Sequence, residues 1–588
     1  MKLKGISAAL SAALLIFCLT GCSTTGAASS SPSSLGTAQS QGNSGNTETA
    51  GSDSTPSTAP LSADLSDSDM DTSWADSDTR ITLSGSSATV SGDGATASGS
   101  VVTVTAAGTY VLSGTLDDGQ IVITATNADK VRLVLNGVSI TNKTGAAIYA
   151  SQCDKLIVTL AEGTENALTD GGAAFQYADT ANEEPNAALF SKDDLTINGT
   201  GSLTVNAGFN NGIGTKDDLL IVSGDITVNA ANHGLRGNDS VTILSGSLTI
   251  TAGNDGIQTN NTEDSSLGWV LIEGGAFNIT AGHDGIQADT SIAISGGEFK
   301  ITTGAASSSD STSDSYKGVK ATGDITFTAG SFTIESTDDS IHANGNVTID
   351  GGTLTLSSGD DGVHADGDLT VNAGTISITE AYEGLEGSNL IITGGTMNLV
   401  TSDDALNAAG GTDQSGGAGP FGQDSFSSGG AHSITISGGD ITFLAGGDGI
   451  DSNGTVSISG GTIAAIISST SDNGAIDADG TTTFTGGTIV YGGTGTGSTP
   501  GSSSTQSYVF VSTGVTAGSE ITVKKDGQVL ITYTSAADSQ YLALSSPGIQ
   551  SGESYEVYSD GTLLTTVTAG TGSTGMGGGM GGGRGGRK

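Results

Sequence analysis

The chain has few of the residues that normally hold a globular protein together or shape helices. Among 588 residues there are three cysteines and seven prolines, and aromatic side chains make up 4%. No stretch shows sustained helical periodicity, which argues against a helical protein. Only 18 lysines and arginines stand against 62 acids, and the formal charge of −44 argues against nucleic acid as a partner, because phosphates favour basic surfaces. What the chain does contain is 94 glycines, with Ser, Thr, Asn and Asp at short intervals. This composition indicates many short strands joined by tight turns.

The first 21 residues have the pattern of an export signal. Two lysines precede an apolar stretch at residues 6–19 that is too short to span a bilayer. The stretch ends in Leu-Thr-Gly-Cys at 19–22, which resembles the lipobox of bacterial lipoproteins. The resemblance implies cleavage before Cys22 and diacylation of its thiol, so we expect an exported protein anchored by lipid to the outer face of the cell membrane. Cys153 then has no partner for an intrachain disulfide.

Composition divides the mature chain into six segments. We predict a disordered Ser/Thr/Gly linker at 22–60, N-terminal coils and cap at 61–190, a regular repeat at 191–492, a second linker at 493–507, a C-terminal β cap at 508–568 and a disordered Gly-rich tail at 569–588.

The regular segment carries a repeat of about 22 residues. A three-residue motif, typically Asp-Gly-Ile, recurs with its middle residue at positions 212, 234, 256, 285, 318, 340, 362, 384, 405, 449 and 474. A second column of glycines, from Gly224 to Gly487, recurs at closely similar spacings, most often 22 residues. The longer steps indicate loops at roughly 259–268, 303–315 and 410–431.

Each repeat reads as one coil of three short strands. In residues 360–382, apolar and polar side chains alternate in three runs that are separated by Asp and Gly turns. A single coil cannot bury its apolar face, so coils must stack about 4.8 Å apart with equivalent residues in register. We therefore predict an all-β fold, a right-handed parallel β-helix whose hand follows the rule for crossover connections.

In-register stacking converts a column of acids in the sequence into a row in space. Two carboxylates 5 Å apart repel by about 3 to 4 kcal/mol at an effective dielectric near 20, so such a row needs water, protons or cations. Calcium suits it, because calcium accepts six to eight oxygen ligands in flexible geometry. The alternative is that Asp and Asn occur here because they tolerate tight turns. The predicted calcium ligands are Asp338, Asp339, Asp360, Asp361, Glu383, Asp403, Asp404, Asp448 and Asp451.

Other polar and aromatic residues flank these acids. Tyrosines could stack on sugar rings or simply pack, the two histidines could be a metal pair or solvated imidazoles, and the lysines could neutralise acids or hold a substrate carboxylate. The candidate carbohydrate-binding residues are Tyr316, Lys317, Lys320, His342, His364 and Tyr382.

Several motifs resemble a family of carbohydrate-binding β-helix proteins that is related in fold to the pectate lyases of polysaccharide lyase family nine. The motifs include Asp-Thr-Ser-Trp at 71–74, Tyr-Lys-Gly-Val-Lys-Ala at 316–321 and Asp-Gly-Val-His-Ala-Asp at 361–366. The resemblance implies a calcium-containing β-helix that binds plant cell-wall polysaccharide such as pectate or cellulose. The lyases use an Asp-Asp-Gly-x-Asp calcium motif, and here His364 stands where the final aspartate would be, which weakens a catalytic calcium site.

Three functions follow from this reading. The first is a cell-surface protein that binds polysaccharide through calcium and is monomeric. The second is a calcium-dependent pectate lyase, for which Lys317 or Lys320 would be the base. The third is an adhesin or surface spacer without glycan affinity.

Overall fold

The computed structural model describes residues 61–63, 65–304, 315–409, 432–468, 473–494 and 500–570. The predicted signal, Cys22, the linker up to residue 60 and nearly all of the predicted tail lie outside these ranges. The described part of the chain is almost entirely β, apart from one helical turn at Asp67–Met70 and one 3-10 turn at Gly172–Ala174. None of the helix in these ranges is long and apolar enough to cross a membrane.

Most strands form a parallel β-helix with three walls, which we number in the order in which a coil visits them. The first wall contains Val101–Val104, Gln120–Thr124, Ile148–Gln152, Ala187–Ser191, Asn211–Thr215, Leu235–Gly237, Ile257–Thr259, Ile286–Ala288, Val319–Ala321, Ile341–Ala343, Leu406–Ala408 and Ile450–Ser452. The second wall contains Lys155–Leu160, Asp194–Gly199, Asp218–Ile221, Ser240–Ile243, Trp269–Ile272, Ile292–Ile294, Ile325–Phe327, Val347–Ile349, Ser433–Ile436, Thr455–Ile458 and Thr482–Phe484. Two longer strands, Val363–Val371 and Leu385–Ile392, run through both walls.

The third wall closes each coil. It contains Glu165–Thr169, Ser202–Ala207, Asp225–Ala230, Ser247–Ala252, Ala276–Ala281, Glu298–Thr303, Ser331–Glu335, Thr353–Ser357, Thr375–Glu380, Thr396–Val400, Asp440–Ala445, Thr462–Ile467 and Thr488–Gly493. Near the N-terminus, Gly108–Leu116 and Lys130–Thr141 run through the second and third walls, while Thr79–Gly85, Ser87–Ser91 and Ala95–Ser98 add the hairpins of the first coils.

The register confirms the predicted parallel solenoid. His342 lies opposite His364, and Leu354 lies opposite Ile376, each one repeat of 22 residues further along the chain. The apolar side chains of the alternating runs point inward, and Val363 and Leu369 are fully buried. The inward side chains of successive coils therefore form one continuous apolar core.

Two glycine columns hold the turns for different reasons. The column from Gly224 to Gly487, between the second and third walls, has φ between +82° and +134°, where an L side chain is strained. The motif glycines have ordinary φ values but no room for a side chain. A Cβ on Gly256 would lie 2.6 Å from the carbonyl oxygen of Gly285 in the next coil. The first column is thus required by the backbone conformation of its turn, and the motif glycines by the close approach of the next coil.

A short N-terminal segment, residues 65–74, lies on the outer face of the second wall, and we call it the strap. Asp69 in its helical turn is fully buried, 3.3 Å from Lys155 Nζ, and accepts a hydrogen bond from Thr196 Oγ1 at 2.7 Å. Asn198 Nδ2 donates to the Asp69 carbonyl oxygen at 2.7 Å, and Arg132 donates to the Ser68 carbonyl oxygen at 2.9 Å. The N-terminal segment therefore binds the side of the solenoid, through polar contacts.

Replacing Asp69 with Asn should release the strap. The variant leaves the partly buried Lys155 with Asp194 as its remaining acid, and it replaces one of the two oxygens that accept from Ser66 and Thr196 by an amide nitrogen, which should cost about 3 kcal/mol. Limited proteolysis and hydrogen exchange of residues 65–78 would measure the effect. The exposed Asp67 in the same turn is the matched control, and its Asn variant should change neither. Equal protection of both variants would contradict the role given to Asp69.

The C-terminal strands cover the last coil. Tyr541–Ser545 pairs antiparallel with the last third-wall strand, Thr488–Gly493. Tyr508–Val511 in turn pairs antiparallel with Tyr541–Ser545. Glu520–Lys525, Gln528–Thr534, Ser554–Ser559 and Thr562–Thr568 form a separate four-stranded antiparallel sheet. Residues 500–507, part of the predicted linker, contact the strand Tyr541–Ser545, since Gln506 Nε2 donates to Ser545 Oγ at 2.9 Å. Tyr541–Ser545 therefore covers the edge of the last third-wall strand, which would otherwise be open to pairing with another chain.

Candidate metal and carbohydrate site

Eight of the nine predicted metal ligands lie in one stack of turns, between the third and first walls, which we call the motif turns, and Asp451 lies in the first-wall strand that follows. Successive turns are joined by regular backbone contacts, for example Asp361 N donating to Asp339 Oδ1 and Glu383 N donating to Asp361 Oδ1, at 3.0 and 3.2 Å. The acids thus bind the backbone of the following coil as well as facing each other. Two groups of three carboxylates converge here with ligand atoms within 4.8 Å of one another: Asp338, Asp339 and Asp360, and Asp404, Asp448 and Asp451.

The first of these groups already contains a cation. Lys317 is fully buried, and its Nζ lies 2.7 Å from Asp339 Oδ2 and 3.1 Å from Asp338 Oδ1. Burial alone would raise the pKa of Asp339, but Lys317 and His342 outweigh it and hold that pKa well below its usual range. Because Asp338 and Asp339 both contact the ammonium of Lys317, this buried lysine serves as the counter-charge of the turn.

Two stacked histidines lie beside these acids on the first wall. The rings of His342 and His364 are 4.9 Å apart and 8° from parallel. His364 Nδ1 lies 2.7 Å from Glu386 Oε2, and its Nε2 lies 3.2 Å from Asp366 Oδ1. Burial would lower the pKa of His364, but its bonds to Asp361, Asp366 and Glu386 raise it well above the usual value.

The pKa of the other histidine, His342, shifts in the opposite direction. His342 has a lowered pKa, because burial and the nearby Lys317 outweigh its bond to Asp339. The stack therefore pairs a neutral imidazole with an imidazolium. A protonated His364, with both nitrogens on carboxylates, does not offer a free nitrogen to a transition metal.

The next coils hold two further buried carboxyl groups, Glu383 and Glu386, and His364 Nδ1 contacts the second of them. Burial and the neighbouring acids raise the pKa of Glu383 well above its usual value, and burial does the same for Glu386 despite His364. Asn407 Nδ2 donates to Glu383 Oε2 at 2.6 Å, while its buried Oδ1 has no hydrogen-bond partner among the residues that the structure describes. An unpaired buried oxygen beside crowded carboxyls is the kind of donor set that a cation binds well.

The second group of three carboxylates is the most crowded. Burial, followed by Asp403, Asp451 and Asp448, raises the pKa of Asp404 to about 8. Burial, followed by Asp448, raises the pKa of Asp451 to about 6. Among the described residues, no lysine, arginine or histidine forms an ion pair with these three acids. All-oxygen ligands without a protein counter-charge fit calcium.

The candidate carbohydrate-binding residues fall into two classes. Tyr316, Lys320 and Tyr382 are half-buried and reach the surface of the motif turns. Lys317, His342 and His364 are 0%, 2% and 1% exposed, because neighbouring coils cover the outward positions. The two histidines are therefore not solvated surface imidazoles, whereas carbohydrate binding by the six candidate residues stays a prediction. These three side chains build the interior of the turn stack.

Sequence reasoning missed two sets of acids. Glu386 and Asp366 complete the environment of His364, and the column position of Glu386 could have indicated it. A separate acidic cluster, away from the motif turns, is formed by Asp194, Asp217 and Asp218 at the turns between the first and second walls. Its sequence signal is the repeated Lys-Asp-Asp at 192–194 and 216–218. Lys155 is 3.3 Å from Asp194, so part of this charge is compensated.

Comparisons with known proteins point to carbohydrate. The family model described as carbohydrate-binding domain-containing protein matches residues 98–362, less than half of the chain. A protein of Acetivibrio thermocellus with the same description is 47% identical over 129 residues, which cover 22% of this chain and 45% of that protein. A solved structure of the polysaccharide lyase-like protein from C. thermocellum is 43% identical over 39% of this chain and 92% of that chain, with a TM-score of 0.38. Residues 98–362 are thus similar to a carbohydrate-binding domain, while a specific relation to the family-nine pectate lyases stays a prediction.

Proposed function

We propose that this protein binds an acidic cell-wall polysaccharide of the pectate type, with calcium as the bridge. The observation that carries the proposal is the convergence of Asp404, Asp448 and Asp451 within 4.8 Å, without a protein cation in contact among the described residues. Calcium bound there would retain open coordination positions, because three carboxylates do not fill a shell of six to eight oxygens.

The bridge also accounts for the charge of the chain. A protein with a formal charge of −44 and a polyuronate repel each other in the absence of cations. Calcium shared between a protein carboxylate and a uronate carboxylate converts this repulsion into attraction. The half-buried Tyr382 and Asp403, in neighbouring motif turns, would offer a ring face and further oxygen to the same glycan.

Anchoring belongs to the same proposal. Lipid on Cys22 would hold the protein at the outer face of the membrane, and residues 22–60 would separate the solenoid from the lipid surface. The glycan would then be captured outside the cell, in a compartment where calcium is plentiful enough to fill weak sites.

Chelation should abolish the binding of polygalacturonate to the full chain. Binding would be measured by pull-down and by isothermal titration, first in calcium and then in excess EGTA. Calcium should restore binding, whereas magnesium should not, because it dehydrates reluctantly and demands stricter octahedral geometry. Binding that survives EGTA would dispose of the bridge.

The same samples separate binding from β-elimination. A lyase would release unsaturated uronides that absorb in the ultraviolet, and the half-buried Lys320 is the lysine that such chemistry would need. We expect no such product. Calcium-dependent product that disappears in Lys320→Ala would replace the binding proposal by the enzymatic one.

A further inference from the structure

Three aromatic side chains meet at the surface near the N-terminal end of the motif turns. The rings of Phe175 and Phe209 are stacked, with centroids 4.3 Å apart and planes 5° from parallel. Tyr177 stands nearly perpendicular to both, with its centroid 5.5 Å from that of Phe209. All three are half-buried, and Tyr177 and Phe209 belong to none of the buried apolar clusters of the described chain. We call these three residues the aromatic platform.

Packing of the coils does not require this platform. Phe209 stands three residues before the motif glycine, and the equivalent positions of later coils hold only small side chains: Ala231, Gly253, Gly282, Ser315, Thr337, Gly359, Ala381, Ser402 and Gly446. Phe175 and Tyr177 lie in residues 170–186, an insertion where a regular coil has only residues 358–362. Two departures from the repeat thus place aromatic rings against each other at one point.

The backbone holds the platform in place. Asp170 accepts hydrogen bonds from Gly172 N at 2.9 Å, Gly208 N at 2.8 Å and Phe209 N at 3.2 Å, which joins the two segments that carry the rings. Lys192 Nζ lies 2.6 Å from Glu184 Oε2 and fixes the far end of the insertion. Rings mounted on a bonded backbone lose little conformational freedom when a ligand stacks on them.

The outer column of the motif turns holds no acid near the platform. That column, the residue two before each motif glycine, begins beside Phe209 with Asn210, Asn232, Asn254, His283 and Tyr316. Its acids begin only at Asp338, five coils further on, which at about 4.8 Å a coil is roughly 24 Å away. Acids outside this column do occur here: Asp170 accepts three backbone N–H bonds, Asp255 and Asp284 are buried, and Glu183 lies near Tyr177. The outer column itself therefore has an amide-and-aromatic half and an acidic half.

We propose that the aromatic platform is a separate subsite for neutral glycan, binding the flat face of an uncharged pyranose ring. Aromatic faces carry negative charge density, so they attract the weakly positive C–H groups of a sugar ring and repel the carboxylate of a uronate. The asparagines of the outer column, already linked by Asn232 Nδ2 donating to Asn210 Oδ1 at 2.8 Å, offer amides to the sugar hydroxyls. The inference rests on the proposed function only in taking the ligand to be a polysaccharide, since no cation is required.

The test uses the full chain, soluble cellohexaose as the neutral probe and EGTA to remove calcium. Phe209→Leu keeps an apolar side chain without a π face, and should weaken cellohexaose binding about tenfold, as expected for loss of one aromatic stacking contact. Phe209→Trp should retain the affinity. Both variants should bind polygalacturonate in calcium as the wild type does. Circular dichroism would verify that both variants are folded.

Each alternative result identifies what has failed. Wild-type protein that does not bind cellohexaose, or equal affinity in Phe209→Leu and wild type, overturns the platform whatever polygalacturonate does. Cellohexaose binding that depends on Phe209, without any calcium-dependent binding of polygalacturonate, leaves the platform standing and removes the calcium bridge. A parallel loss of both ligands in Phe209→Leu would show that the substitution disturbs the solenoid, and would overturn the assignment of a separate subsite.

Discussion

Lys317→Met is expected to destabilise the surrounding coils by about 3–5 kcal/mol. The substitution keeps most of the side-chain volume but leaves Asp338 and Asp339 without the ammonium that lies 3.1 and 2.7 Å from them. Removing one member of a buried ion pair leaves an uncompensated charge in a medium that solvates it poorly. Urea unfolding, together with hydrogen exchange of residues 331–371, would measure the loss.

A second lysine gives the matched control. Lys320 lies on the same coil, but its side chain is 26% exposed and its Nζ is 3.7 Å from a single buried acid, Asp284, so Lys320→Met should cost less than Lys317→Met. The loss in Lys317→Met should also shrink on acidification. In the wild type the pKa of Asp339 is lowered, so this residue stabilises the fold above the unfolded pKa of about 3.9. Without Lys317 the pKa of Asp339 rises, and protonation of its carboxylate in acid removes the uncompensated buried charge. Equal losses in the two variants, at every pH, would contradict this account of Lys317.

Calcium is expected to stabilise the wild-type protein by about 4 kcal/mol when it is present at a thousand times its dissociation constant. The double variant Asp448→Asn/Asp451→Asn should lose this stabilisation, because it keeps the shape of the turn but removes two of three converging carboxylates. Thermal unfolding in calcium and in EGTA would report both effects. Asp440→Asn, at an exposed position on the third wall, is the control and should respond to calcium as the wild type does.

The same double variant should reverse its effect when calcium is removed. Two carboxylates 4.8 Å apart repel by about 3 kcal/mol at an effective dielectric of 20, and neutral amides do not. In EGTA the variant should therefore be more stable than the wild type, and in calcium less stable. A variant that is less stable under both conditions would mean that these carboxylates serve the turn through hydrogen bonds, such as that of Asp448 Oδ1 with Gly474 N, and not through a cation.

The solenoid could be predicted because equivalent residues of successive coils recur in the sequence about every 22 positions. A side chain that must lie above its equivalent, such as Leu354 below Ile376, recurs at the spacing of a coil. The glycines between the second and third walls recur for the same reason, since each turn there needs a positive φ. The middle residues of the motif and the turn glycines recur at closely similar spacings, which indicates a fold of stacked coils.

The interior of the site could not be predicted in the same way. Register tells which residues stack, but it does not tell how far neighbouring coils cover an outward position. His342 and His364 alternate as outward residues and are nonetheless buried, so their charges depend on Lys317, Asp339 and Glu386. The strap and two of the three platform residues, Phe175 and Tyr177, come from segments outside the repeat, and their partners are set only when the chain folds.

The strap joins residues that lie far apart in the chain. Asp69 and its hydrogen-bond partner Thr196 are 127 residues apart, and Asn198 follows two positions later. The docking surface of the strap is complete only when the strand Asp194–Gly199 has paired with Lys155–Leu160, since that strand supplies Thr196 and Asn198. Docking of the strap therefore requires that these second-wall strands are formed, and protection of residues 65–74 from exchange would report whether this part of the solenoid is intact.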